Sequence, residues 1–142
     1  MSQTPTAPQM VERSLVPALQ RDVTLMLEAG YLFIELNKHK EAEEIFSGVA
    51  ALVPHSEVPH LALGNLHFSQ GRFAPALKAH QHAASLNESS AIAHALVAES
   101  LFFLKRGPEA LQALEKSLSL PDDGSAHEFA KALKDAYDLK LF

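Results

Sequence analysis

The chain has 142 residues, of which 47% are hydrophobic and 20% charged, so it holds enough apolar material for the continuous core of one ordinary globular unit. Its formal net charge is -5, and because acidic and basic residues are interleaved there is no basic stripe to neutralise phosphates, so nucleic acid is not an expected partner. The absence of cysteine excludes disulfides and thiolate metal sites.

Residues 1–9 are rich in Thr and Pro, which bury little apolar surface, and this predicts a disordered amino terminus followed by a single domain over residues 10–142. The same residues have no apolar centre that could act as an export signal. No later apolar stretch approaches the roughly 18 residues that a membrane span needs. We therefore expect a cytoplasmic protein that makes no contact with a membrane.

A short helix is predicted from about Met10 to Gln20, limited or kinked by Pro17. Its apolar residues recur at helical spacing, so it should pack on something. Asp22 follows, and because an aspartate can accept hydrogen bonds from the free amides of a first helical turn, it is predicted to cap the next helix.

From that point the sequence follows a period of 34 residues, marked by Ala42, Ala76 and Ala110. Each alanine lies in a segment with the pattern of two short amphipathic helices. Such a period is typical of helical repeat arrays, in which each helix pair buries its apolar face against the next pair. The predicted repeats are residues 23–56, 57–90 and 91–124.

Within each repeat, a small residue in the first helix allows the second helix to approach closely. The second helix then carries an alanine and a bulky residue four positions later, on one face. The small residues are Gly30, Gly64 and Ala98, and the paired positions are Ala42 with Phe46, Ala76 with His80, and Ala110 with Leu114. The turns between the helices are predicted at residues 37–38, 71–72 and 106–107.

After the third repeat, Pro121 and Gly124 interrupt the helical pattern, and Ser125 with Glu128 predicts a capping box. The helix that follows, within residues 125–142, is predicted to cover the exposed face of the last repeat, as arrays of this kind require. The alternative for the closing apolar residues is docking on another subunit. Those residues are Leu139, Leu141 and Phe142.

The flank of each first helix that faces away from the packing positions is predicted to line a groove. Stacking the repeats gives three rows of candidate partner-binding residues. These are Leu27, Leu61 and Ala95; Tyr31, Asn65 and Glu99; and Ile34, Phe68 and Phe102. Two rows are apolar and one is polar, which suits an extended or helical segment with hydrophobic anchors. Alternatively, the chain's own Met10 to Gln20 helix fills the groove.

The residues that recur in each repeat resemble the signature of the tetratricopeptide repeat family. That signature places a small residue, an alanine, a phenylalanine and a proline at fixed offsets. The second repeat holds Leu63, Gly64 and Ala76, and the first holds Gly30 and Pro54 beside Ala42 and Phe46. The chain lacks tryptophan, and histidines take aromatic positions in the second repeat. The resemblance covers about residues 23–124 and implies an all-α, right-handed solenoid with an amino-terminal helix and a capping helix.

The size and the repeat count are also similar to those of the tetratricopeptide chaperones of bacterial type III secretion systems. That resemblance implies a cytoplasmic chaperone that holds an apolar segment of a secreted translocator or needle-type client in its concave groove. It also implies an amino-terminal helix available for homodimer contacts. The alternative function is a general scaffold or adaptor in another cytoplasmic assembly.

Enzymatic activity is not expected, because the sequence has no phosphate loop, no Gly-flanked serine and no metal-ligand pair of the H-E-x-x-H kind. Four histidines, His60, His67, His80 and His94, take repeat positions that aromatic packing residues normally hold. We therefore interpret them as core residues, and expect neither a metal nor a cofactor.

Overall fold

The computed structural model describes residues 7–122 and 124–142, with side chains from residue 19 onward. Residues 1–6, which carry most of the predicted disorder, lie outside the described part. Over the described residues the chain forms seven α-helices and no strand. They are α1 (Ala7–Glu35), α2 (His39–Leu52), α3 (Val58–Ser69), α4 (Phe73–Leu86), α5 (Ala91–Phe103), α6 (Gly107–Ser119) and α7 (Ala126–Asp138). The predicted all-α class is confirmed. None of the described helices is long and apolar enough to cross a membrane.

The three helix pairs α1–α2, α3–α4 and α5–α6 are closed by turns of the same geometry. In each turn the second residue after the first helix has a positive φ, with values of 59° at Asn37, 73° at Gly71 and 63° at Lys105. The next amide donates back to a carbonyl five residues earlier, which satisfies a free end of the helix. These bonds join Lys38 to Phe33 at 2.8 Å, Arg72 to His67 at 2.9 Å, and Arg106 to Leu101 at 2.9 Å. The 34-residue period is therefore present in the backbone, although the third turn lies one residue earlier than predicted, because Gly107 is already the first residue of α6.

Within the first two pairs, a glycine of the first helix lies directly against a ring of the second helix. A Cβ atom at Gly30 would overlap the ring of Phe46, and one at Gly64 would overlap the ring of His80. Phe46 and His80 are both fully buried. The third pair uses Ala98 and Leu114, which are also buried. The small-to-bulky pairing predicted from the sequence thus forms the inner contact of each repeat.

The amino-terminal prediction is wrong in one respect, because α1 is a single helix that includes residues 10–20 and Asp22. Asp22 is an exposed residue inside the helix and is not a cap. Aspartate costs an exposed helix interior only a few tenths of a kcal/mol, so its presence does not end the helix. As the beginning of α1, residues 10–20 do not return as a separate helix to fill the groove.

At the carboxyl end, α7 packs on α5 and α6 and covers the last repeat, as predicted. The predicted capping box does not form, since Ser125 makes no side-chain hydrogen bond at the start of α7. Its backbone, at φ -104° and ψ 20°, is not in the extended conformation that a capping residue needs. Instead Oδ1 of Asp122 accepts a hydrogen bond from the amide of His127 at 3.2 Å.

Candidate binding groove

The first two repeats present six of the nine predicted groove residues at a surface. Tyr31 on α1 is 40% exposed. The other five are half-buried; they are Leu27 and Ile34 on α1, and Leu61, Asn65 and Phe68 on α3. Their side chains recur one helical turn apart, so they share one face of each helix. This face of α1 and α3, together with Glu99 at the equivalent position of α5, is called the groove below.

A chain of polar contacts runs from the groove into the core. Nδ2 of Asn65 donates to Oη of Tyr31 at 3.0 Å, which leaves Oδ1 of Asn65 as an acceptor facing Nε2 of His80 at 3.3 Å. On the other side of the ring, Oγ of Ser100 lies 3.4 Å from Nδ1 of His80. Asn65 and Ser100 thus contact the buried imidazole at its two ring nitrogens.

Burial lowers the pKa of His80 to about 4, and the carbonyls of Leu61 and Leu96 oppose that shift only in part. His80 thus belongs to the core, as its place in the repeat predicted. His60, also predicted to be a core residue, is only half-buried. Its ring packs edge-on against the ring of exposed His82 at 4.3 Å. Over the side chains that the structure describes, no group of three or more His, Cys, Asp or Glu residues is placed to hold a metal ion.

Of its three predicted groove residues, the third repeat leaves only Glu99 partly exposed. Ala95 is fully buried and Phe102 is 1% exposed, so neither residue is accessible to a partner in this arrangement. Phe142 stacks on Phe102 at 4.8 Å with an angle of 11° between the rings, and Tyr137 packs on Phe102 at 5.0 Å. The segment that covers part of the groove is therefore carboxyl-terminal, whereas the alternative drawn from the sequence placed it at the amino terminus.

An aromatic cluster adjoins this covered region, and two of its members, Phe73 and Phe103, were not predicted from the sequence. The ring of Phe68 lies 5.0 Å from both Phe73 and Phe103, and Phe103 lies 5.3 Å from Phe142. Phe103 directly follows Phe102 and remains 41% exposed. It could have been predicted from the sequence, because it is the neighbour of the predicted groove residue Phe102 at the end of α5.

An apolar cleft of about 590 Å³ extends the groove at its other end. It lies between the middle of α1, the connection after α2, and the start of α3, and the predicted groove residue Leu27 is part of its wall. Its other lining residues are Leu19, Gln20, Val23, Thr24, Val53, Ser56 and Val58. This cleft was not predicted from the sequence, because the amino-terminal helix was expected to end before the first repeat. In the structure the continuous α1 forms one wall of the cleft.

Glu99 on α5 is half-buried and has an unusual environment for a carboxyl group. Burial raises its pKa to about 7, and no charged group or hydrogen bond among the described residues contributes to that shift. The residues one turn away on the same face are the buried Ala95 and Phe102. The groove therefore contains one carboxyl group set among apolar side chains.

The geometry is shared with solved structures of several proteins. The type III secretion translocator chaperone SycD of Yersinia enterocolitica superposes with a TM-score of 0.74 at 15% identity, over 84% of this chain and 90% of that chain. The same chaperone in complex with a peptide of the translocator YopD gives a TM-score of 0.71 at 16% identity, over 86% and 96%. The first TPR of Spaghetti (RPAP3), bound to the HSP90 peptide SRMEEVD, gives 0.69 at 22% identity, over 83% and 97%. At these identities the likeness shows the fold.

No curated protein matches the chain in sequence. A family model described as anaphase-promoting complex, cyclosome, subunit 3 matches residues 35–117, which is more than half of the chain. Those residues include most of the three helix pairs whose turns and inner contacts repeat at 34-residue intervals. The chain therefore belongs to the family of anaphase-promoting complex, cyclosome, subunit 3, and is a tetratricopeptide repeat protein with the fold of a protein-interaction scaffold.

Proposed function

We propose that this chain is a non-catalytic, protein-binding chaperone of a bacterial type III secretion system that acts in the cytoplasm. In this proposal its groove holds an apolar segment of a secreted translocator or needle-type client until export. The observation that carries the binding function is the apolar cleft of about 590 Å³ that continues into the groove. Exposed apolar surface of this kind, bordered by polar groups such as those of Tyr31 and Asn65, is typical of a docking site for a peptide.

The charge of the groove separates two kinds of peptide. The HSP90 peptide in the RPAP3 complex, SRMEEVD, carries three acidic residues. The nine predicted groove residues include no Lys or Arg that could pair with carboxylates, and they include Glu99, which would repel them. An apolar segment therefore fits this groove better than an acidic one, and the SycD complex with a YopD peptide supports a translocator as its source.

The expected affinity is compatible with later release of the client. Three buried apolar anchors contribute about 1.5–3 kcal/mol each, and ordering the bound segment costs about 2–5 kcal/mol. At its most favourable the balance is about 7 kcal/mol, which corresponds to a dissociation constant of about ten micromolar before further contacts are added.

The binding function is tested by a charge in the cleft. Val58 is the first residue of α3 and is 41% exposed, so Val58→Glu should leave the fold intact, because a negative charge is favourable at a helix N-terminus. Peptides selected from a phage-displayed dodecapeptide library on the wild-type chain should bind this variant about tenfold more weakly, since the carboxylate must lose water to accept an apolar anchor. Fluorescence polarisation with the synthetic peptides measures the change.

Leu52→Glu is the matched control, because it places the same charge on an exposed residue of α2 that does not line the cleft. We expect this control to bind the peptides as the wild type does. If Val58→Glu also binds them normally while both variants melt like the wild type, the cleft is not the binding site.

The identity of the client distinguishes the proposed secretion chaperone from the alternative function. That alternative is a general scaffold or adaptor in another cytoplasmic assembly. Mass spectrometry of proteins that co-purify with the chain from its native host identifies the client. An exported protein whose secretion stops when the gene for this chain is deleted supports the chaperone. A stable set of resident cytoplasmic proteins supports the scaffold.

Homodimer formation is a further part of the proposal, and it concerns the outer face of α1. Leu25 and Leu32 are more than half exposed on that face. Their counterparts 34 residues later, Pro59 and Leu66, are buried because they face the preceding repeat. Among the described residues this apolar face of α1 is uncovered, and a second copy of the chain is the partner proposed for it.

Leu32→Glu should therefore convert a dimer to a monomer, because a buried, unpaired charge opposes association. Sedimentation equilibrium at high micromolar concentration measures the change, and Leu52→Glu again serves as the control. A wild-type chain that sediments as a monomer at that concentration would contradict the dimer and leave the groove unaffected.

A further inference from the structure

The three residues of the polar row, Tyr31, Asn65 and Glu99, differ in their hydrogen bonds within the protein. Tyr31 and Asn65, at equivalent positions of the first two repeats, bond to each other at 3.0 Å. The remaining amide oxygen of Asn65 faces His80 at 3.3 Å. Glu99 is the third member of the row, and its carboxyl group takes no part in these contacts. The first two residues are thus hydrogen-bonded within the protein, whereas the carboxyl group of Glu99 is available to a bound partner.

Glu99 is placed where a carboxylate is costly without a counter-charge. It lies on the same face of α5 as Ala95 and Phe102, both of which are buried. The pKa of Glu99, raised by burial to about 7, reflects this cost. Desolvated carboxylates in proteins are normally paired or strongly hydrogen-bonded, because an isolated one loses its hydration without compensation.

The groove itself supplies no cation. None of its nine predicted residues, and none of the residues lining the cleft, is Lys or Arg. The titratable neighbours in the polar row are Tyr31 on α1 and, through Asn65, His80 on α4. A tyrosine has no cationic form, and burial lowers the pKa of His80 to about 4, so neither is a cation near neutral pH.

We propose that Glu99 determines the specificity of the groove by pairing with a Lys or Arg side chain of the bound segment, whose apolar residues occupy the cleft. This inference rests on the proposed peptide-binding function and deepens it, because it names the chemistry of the occupant: an apolar segment interrupted by a cationic residue. A half-desolvated carboxylate that already bears the cost of burial gains more from such a pair than an exposed one would.

The test compares peptide selection on the immobilised full chain and on its Glu99→Gln variant, with the same phage-displayed dodecapeptide library. Selections on the wild type should be enriched in Lys or Arg among apolar residues. Selections on Glu99→Gln should keep the apolar residues and lose the enrichment, because glutamine preserves the shape and removes the charge. Circular dichroism and thermal unfolding check that the variant is folded.

A synthetic peptide from the wild-type selection makes the measurement quantitative, and its first comparison uses the wild-type chain alone. Changing its basic residue to glutamine should weaken binding to the wild type about tenfold, which is about 1.4 kcal/mol, and should leave binding to Glu99→Gln unchanged. The four affinities form a double-mutant cycle that isolates the pair.

The outcomes separate this inference from the proposed function. Peptides that depend on Val58 but show no basic enrichment would overturn the role of Glu99 and leave the binding function standing. Basic enrichment that persists on Glu99→Gln would place the cation elsewhere and also overturn it. If the library gives no peptide whose binding depends on Val58, both the inference and the peptide-binding groove are wrong.

Discussion

Replacement of Gly64 by leucine is expected to unfold the repeat array. A Cβ atom at this position would already overlap ring atoms of His80, and leucine adds three more carbons. The ring cannot move aside easily, because it is fully buried and held between Asn65 and Ser100. Overpacking of a well-packed core costs about 1–3 kcal/mol and sometimes more, and the blocked ring places this site at or above the upper end. Thermal and urea unfolding followed by circular dichroism measure the loss.

Gly48→Ala is the matched control, because Gly48 lies inside α2 and a Cβ atom there would meet nothing within 4 Å. Alanine in an open helical position stabilises a protein by about 0.5–1 kcal/mol relative to glycine. The two substitutions should therefore change stability in opposite directions. A Gly64→Leu protein that melts like the wild type would show that the repeat register is wrong.

The part of the fold that could be predicted from the sequence is the part that depends on short-range periodicity. The pairing of Gly30 with Phe46 and of Gly64 with His80 follows from the spacing of small and bulky residues along two helices joined by a tight turn. Each repeat contacts mainly its neighbours, so a local pattern repeated in phase is enough to specify the array. The bonds that close the turns after Phe33, His67 and Leu101 repeat in the same phase.

The features that the sequence did not predict depend on weak or long-range interactions. Asp22 is a preferred capping residue, but that preference amounts to about 1 kcal/mol, which the continuation of a long helix can exceed. The burial of Phe102 beneath Tyr137 and Phe142 joins α5 to the segment after α7, and no periodic pattern marks such a contact. The sequence predicted a binding site on all three repeats. The structure leaves most of that site on α1 and α3, because Phe102 is covered.

Acidification should destabilise the protein through His80. Its pKa is about 4 in the folded chain and 6.5 in the unfolded chain, so between these values the unfolded state binds a proton that the folded state does not. The stability is fully present above pH 6.5 and is lost as the pH falls towards 4. Because one pKa unit corresponds to 1.36 kcal/mol, the loss amounts to about 3 kcal/mol. His60 and His67, whose pKa values burial also lowers, act in the same direction.

Glu99 opposes this change over much of the same range. Its pKa is about 7 in the folded chain and 4.5 in the unfolded chain, so the folded state keeps a proton that the unfolded state has lost. Its contribution is fully present below pH 4.5 and is lost as the pH rises towards 7. Glu99 retains some contact with solvent, which screens its charge, and its effect should therefore be smaller than that of His80. The wild-type chain should lose stability only gradually between pH 6.5 and 4.5.

Glu99→Gln should make the acid sensitivity of the fold visible. The variant and the wild type should be about equally stable below pH 4.5, where Glu99 is mostly protonated in both states of the wild type, and the variant should become the more stable as the pH rises towards 7. Its stability should consequently fall more steeply on acidification, because the contribution of His80 is no longer offset. Urea unfolding across this range measures both curves, and Glu115→Gln, at an exposed position of α6, is the control. A difference between variant and wild type that stays constant at every pH would mean that the pKa of Glu99 is the same in the folded and unfolded chains, and that its carboxylate is not desolvated in the groove.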